Sequence, residues 1–92
     1  MMHVTWHETQ KPGVFEWEAA GLKGRSRTPF LAAARALLDS GIADPSEKLT
    51  GGRSDHECDL SGELGMVAKL AVSETGGAPK FVQYRKWRAE DK

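Results

Sequence analysis

Arg25 and Arg27 flank Ser26 directly before Thr28-Pro29, where the sequence predicts the start of a helix. Two guanidinium groups at such a point can hold an anion. If this stretch is extended, both arginines leave the backbone on the same side. Just beyond them, the N–H groups of Phe30 and Leu31 have no partner inside the helix. Together these groups suit a phosphate or a carboxylate. Without an anion the placement is unfavourable, because a helix N-terminus carries partial positive charge. Two readings stay open. The arginines serve an external anionic partner, or they are solvated or paired with acids of the same chain such as Asp55, Glu57 or Asp59.

A second basic group lies in KFVQYRKWR, where Lys80, Arg85, Lys86 and Arg88 interleave with Phe81, Tyr84 and Trp87. Aromatic stacking combined with phosphate contact is how single-stranded nucleic acid is held. The candidate binding residues are therefore Lys23, Arg25, Arg27, Arg85, Lys86 and Arg88.

The other reactive residues assemble nothing comparable. His3 and His7 share a strand face, but at about 3.3 Å per residue they are too far apart for one metal ion. His56 and Cys58 share a face two residues apart, with no CxxC or HExxH spacing around them. Glu57 and Asp59 flank Cys58 and disfavour a thiolate there. GxSxG, a P-loop and a dinucleotide fingerprint are absent, and GGRSD lacks the Lys-Ser/Thr of a phosphate loop. No catalytic residue, cofactor or metal is assigned, and the expectation is a protein without enzymatic activity.

The elements that must position the basic groups follow from periodicity. Val4 and Trp6 alternate with polar neighbours, KPG at 11–13 signals a turn, and Phe15, Trp17 and Ala19 alternate with Glu16 and Glu18. This predicts a hairpin with one solvated face. Continuing the alternation would turn Lys23 and Arg25 inward, so Ala20-Gly21 is expected to carry a bulge or bend. Thr28 as N-cap, Pro29 at N1 and Gly41 after the end bound a helix over about 29–40. Phe30, Leu31, Ala33, Ala34, Leu37 and Leu38 gather on one side of it, with Arg35 and Asp39 opposite. Ala32, Ala36 and Ser40 form a separate line of small residues that admits a homodimer contact.

Beyond the Asp44-Pro45 breaker the chain reads as strands. KLT and HECDL flank GGRSD as a hairpin loop, and SGELG is a tight turn or a single helical turn. Met66, Ala68, Leu70 and Val72 alternate inward, TGGAP turns, and KFVQYRKW is a last strand before a frayed tail. The fold class is α+β: a mostly antiparallel sheet of five or six strands with one helix on one face, forming a single domain. Trp6, Trp17, Phe30, Leu37, Leu38, Leu70 and Val72 are the expected core.

Composition sets bounds on partners. Of the 92 residues, 13 are basic and 13 acidic, so whole-chain charge does not favour nucleic acid. The charge is zoned all the same, acidic over 42–63 and basic over 80–88, and zoning can orient a partner. One cysteine excludes an intrachain disulfide and points to a reducing compartment. No apolar run approaches the ~20 residues of a membrane span, and MMHVTWHETQ lacks the pattern of a signal peptide. The expected location is the cytosol, with no membrane partner.

The stretch GRSRTPFLAAARALLDSGIADP followed by ELGMVAKLAVSE resembles short phage- and prophage-encoded proteins of unassigned function. Those proteins share a Gly-Arg-Ser-Arg-x-Pro lead into an alanine- and leucine-rich helix, then a turn and a strand. The resemblance stops at residues 51–58 and brings no catalytic residue. It implies a small binding protein acting on a host macromolecule in the host cytosol. The partner would be a host protein or protein–nucleic acid complex, with inhibition of a CRISPR nuclease as one form. The alternative is a module that contacts nucleic acid directly through its basic, aromatic C-terminal strand.

Overall fold

The computed structural model describes residues 1–54, 60–68 and 81–90. The early alternation produces a three-stranded antiparallel meander: β1 (Met2–Glu8), β2 (Phe15–Ala19) and β3 (Leu22–Ser26). Trp6 stands opposite Trp17, and Glu16 opposite Arg25. The bulge or bend expected at Ala20-Gly21 takes the form of a chain reversal. These two residues are a complete hairpin turn, with φ of 49° and 85°. Positive φ at both central positions gives the turn whose twist suits flanking strands. Reversal of the chain, not a bulge, restores the register. Leu22 pairs with Ala19 and packs on the core, while Lys23 and Arg25 face solvent.

α1 (Pro29–Asp39) follows, with Ser40 as C-cap and Gly41 at a φ of 75°. Thr28 holds the N-cap position, but its side chain makes no capping bond. Its N–H donates to the Ser26 hydroxyl at 3.0 Å, and the two hydroxyls lie 3.4 Å apart. Thr28 is thus turned back toward β3. The buried stripe of α1 is Phe30, Ala33, Ala34 and Leu37, with Leu31 and Leu38 partly buried beside it.

The helix and the loop after it carry the chain from β3 back across the sheet. β4 (Lys48–Arg53) enters parallel to β1, and β5 (Leu60–Glu63) pairs antiparallel with β4. The strand order is β3-β2-β1-β4-β5. A parallel pair requires a long crossover, and α1 lies within it. GGRSD is not the expected hairpin loop, since Gly51, Gly52 and Arg53 belong to β4. The glycine has a packing role: a Cβ on Gly51 would lie within 2.8 Å of Phe30, Trp6 and Val4. SGELG contributes the end of β5 and a turn at 64–65, with no helical turn.

The core between sheet and α1 is built from Val4, Trp6, Phe30, Leu37 and Leu49, with Leu64 and Val67 closing one end. The Trp6 and Phe30 rings meet edge-on, centroids 6.1 Å apart. Of the expected core, Trp6, Trp17, Phe30 and Leu37 are buried and Leu38 is partly buried. Leu70, Val72 and the TGGAP turn lie outside the described residues.

β6 (Met66–Ala68) and β7 (Phe81–Gln83) form a separate two-stranded antiparallel sheet. The expected facing of β6 is inverted: Val67 is buried and Met66 exposed. The expected strand KFVQYRKW ends at Gln83, and the chain continues as α2 (Tyr84–Glu90), which takes in Arg88, Ala89 and Glu90 of the expected tail; Asp91 and Lys92 lie outside the described residues. Helical spacing is what lets Tyr84 and Trp87 point the same way, three residues apart, with ring centroids 5.7 Å from each other. The class is α+β: among the described residues, a five-stranded, mostly antiparallel sheet, a short second sheet, and the helices α1 and α2. No described helix is long and apolar enough to cross a membrane.

Candidate functional site

The six candidate basic residues do not form one patch. Lys23 and Arg25 stand on the open face of the sheet, away from α1. Lys23 Nζ lies 3.5 Å from Glu18, and Arg25 Nη2 lies 3.2 Å from Glu16. Each is the cross-strand partner that the hairpin register dictates. Each therefore has an internal partner, an acid of β2. Asp55, Glu57 and Asp59 lie outside the described residues. Lys48 with Glu63 at 3.6 Å, and His3 Nδ1 with the Thr50 hydroxyl at 2.8 Å, leave this face balanced in charge. Exposed pairs of this kind contribute little to stability.

Arg27 points elsewhere. It is exposed, and its Nη1 lies 3.1 Å from where a Cβ on Gly13 would stand, beside the β1–β2 turn. It makes no ion pair among the described residues. Nearby in the sheet, Arg53 reaches Glu8 at 3.9 Å and covers the Phe15 ring at 5.3 Å.

The second basic group lies on α2, on the α1 side of the sheet. Asp39, the last residue of α1, ties the two helices together. The Tyr84 hydroxyl donates to Asp39 Oδ1 at 2.7 Å, and Arg88 Nη1 lies 3.1 Å from Asp39 Oδ2. The hydrogen bond to Asp39 pushes the Tyr84 phenol above its ordinary pKa, and desolvation adds to the shift. Trp87 is only 3% exposed, and the Arg35 guanidinium sits 5.0 Å above its ring. Arg85 and Lys86 are exposed. The interleaved aromatic strand of the nucleic-acid reading is thus replaced. Trp87 is in the core, the Tyr84 hydroxyl is bonded to Asp39, and Phe81 is left half exposed.

Between α1 and α2 runs a groove of about 400 Å³, lined by Ser26, Thr28, Leu31, Ala32, Arg35, Ala36, Asp39 and Trp87. One wall is an α1 stripe, and the others come from the end of β3 and from α2. The small residues Ala32 and Ala36 make room, Leu31 and Trp87 supply apolar surface, and Arg35 and Asp39 supply fixed charge. Ser40, third in the line of small residues, is exposed, and its hydroxyl donates to the Leu37 carbonyl at 3.2 Å.

No family model, curated protein or solved structure matches the chain. The groove's own groups carry the functional reading. Sequence reasoning placed Arg35 and Asp39 opposite the apolar side of α1 and missed their meeting with α2. A signal was present, because an acid in the last turn of a helix opposes the macrodipole and so implies a partner cation. Among the described residues, no group of three or more His, Cys, Asp or Glu side chains could hold a metal ion. His56 and Cys58 lie outside the described residues.

Proposed function

We propose that this chain is a non-catalytic binding module that takes a macromolecular partner along the α1–α2 groove. The observation that carries the reading is the groove's lining. It combines apolar walls with a guanidinium stacked on an indole and a carboxylate that already accepts two bonds. Such groups recognise and orient, and aromatic and arginine anchors of this type dominate binding energy at interfaces. The resemblance to short phage-encoded proteins supplies the class of partner: a host protein or protein–nucleic acid complex. A defence nuclease such as a CRISPR effector, held inactive, is the specific form. Exposed Arg85 and Lys86 beside half-exposed Phe81 favour a second reading, direct contact with nucleic acid.

Affinity capture from host lysate, with and without nuclease, separates the readings. The parent is expected to retain a partner after nuclease treatment. Ala36→Arg, which fills the groove, is expected to lose it. Lys23→Ala with Arg25→Ala, on the opposite face, is expected to keep it. Retention by a folded Ala36→Arg variant would refute the groove. Loss on nuclease treatment, with steep dependence on salt, would favour direct nucleic-acid binding. Light scattering of the same Ala36→Arg protein tests a second copy as the occupant.

A further inference from the structure

We propose that α2 is a latch, pinned to α1 by the carboxylate of Asp39, and that the groove exists only while the latch is closed. The conformational part stands on geometry alone, while its consequence for a partner rests on the reading of the groove just given.

Asp39 closes α1 at the end where the helix dipole disfavours an acid. It is repaid by two contacts from α2 on its two oxygens, the Tyr84 hydroxyl at 2.7 Å and the Arg88 guanidinium at 3.1 Å. The Trp87 side chain between them is buried. A helix of 7 residues does not persist alone in water, so α2 is helical only while docked. Trp87 belongs to the same buried cluster as Phe30, but Phe30 also packs edge-on against Trp6 of the sheet, away from α2. Departure of α2 would uncover Trp87 while the Trp6–Phe30 contact stays closed, a local opening and not a global one. Such an opening removes the Trp87 wall of the groove and separates Arg35 from the indole. By linkage, a partner that binds the closed groove tightens the latch, and release of the latch expels the partner.

Asp39→Ala followed by amide hydrogen exchange tests the latch without any partner. Loss of two charge-assisted contacts is expected to speed exchange over 84–90 by roughly tenfold or more, with β1 and the middle of α1 unchanged. Exchange over 84–90 equal to the parent's would overturn the latch. So would uniform acceleration throughout the chain, which would make α2 an integral part of the core. The gating step is read from capture of the nuclease-resistant partner. Asp39→Ala should lose it, and retention despite an opened latch would overturn gating. If the parent itself captures no such partner, the groove reading fails while the exchange result still decides the latch.

Discussion

Gly51→Ala adds one methyl group where nothing can yield. The new Cβ would stand 2.6 Å from Phe30 Cδ2, 2.7 Å from Trp6 Cζ3 and 2.8 Å from Val4 Cγ1. All three side chains are essentially inaccessible to solvent, so none has open space to move into. Overpacking of this kind costs about 1–3 kcal/mol. The substitution also restricts the unfolded chain, which offsets about 0.4–1 kcal/mol. The expected net loss is about 1–2 kcal/mol, a fall in Tm of roughly 4–16 °C for a domain of this size. Gly24→Ala is the matched comparison. Its Cβ would stand 2.7 Å from the Trp17 ring, but Trp17 packs beneath the edge strand β3 and retains some exposure. The ring can slide outward there, and the loss should be smaller. Urea denaturation of the two variants beside the parent, at constant m, reads the difference. A Gly51→Ala protein with a midpoint at or above the parent's would refute the packing of Trp6 and Phe30 over β4.

The Arg25–Glu16 pair is exposed on both sides, so a double-mutant cycle on Arg25→Ala and Glu16→Ala should give a coupling below about 1 kcal/mol, shrinking with salt. A coupling several times larger would mean that the pair is buried in solution. The chain holds one tyrosine, so phenolate absorbance follows Tyr84 alone. Its midpoint should lie above the ordinary value of 10.0. Because the folded state raises this pKa, the stability it confers is complete below the unfolded value and lost as pH rises through the folded one. Asp39→Ala should bring the midpoint down, and an unmoved midpoint would contradict the Tyr84–Asp39 bond.

The helix and the first hairpin were legible because each rests on local rules. Pro29, Gly41 and the apolar stripe bound α1 within a residue, and strict alternation drew β1 and β2. The ion pairs of Lys23 and Arg25 were legible in principle. Glu18 with Lys23 and Glu16 with Arg25 sit symmetrically about Ala20-Gly21, but only once that dipeptide is read as a turn of two residues. Alanine at positive φ gave no composition signal. Gly51 and Gly52 read as loop because the role of Gly51 in β4 depends on Phe30 and Trp6, distant in sequence and brought near by the fold. Tyr84 and Trp87 fit a strand or a helix equally well over so short a run, and the choice was made by Asp39 and Arg35 on another element. The groove was illegible for the same reason: each of its walls comes from a different part of the chain.

The parallel pairing of β1 with β4 also has a bearing on folding order. Trp6 finds Trp17 across a short hairpin, whereas His3 meets Thr50 only across 47 residues. Each doubling of a closed loop costs about 0.6 kcal/mol more in chain entropy, so the second closure costs roughly 1.2 kcal/mol more than the first. The meander of β1 to β3 is expected to form before β4 arrives. During that interval β1, which will be the middle strand of the finished sheet, is an edge strand with unpaired backbone groups and Val4 and Trp6 on its inner face. An edge of that kind accepts any strand of suitable pattern, including β4 of a neighbouring molecule. Refolding at increasing protein concentration should therefore yield exchanged dimers, and strictly monomeric refolding at high concentration would speak against it. The pairing that gives the native sheet its centre also makes β1 the strand most open to another chain before the fold is complete.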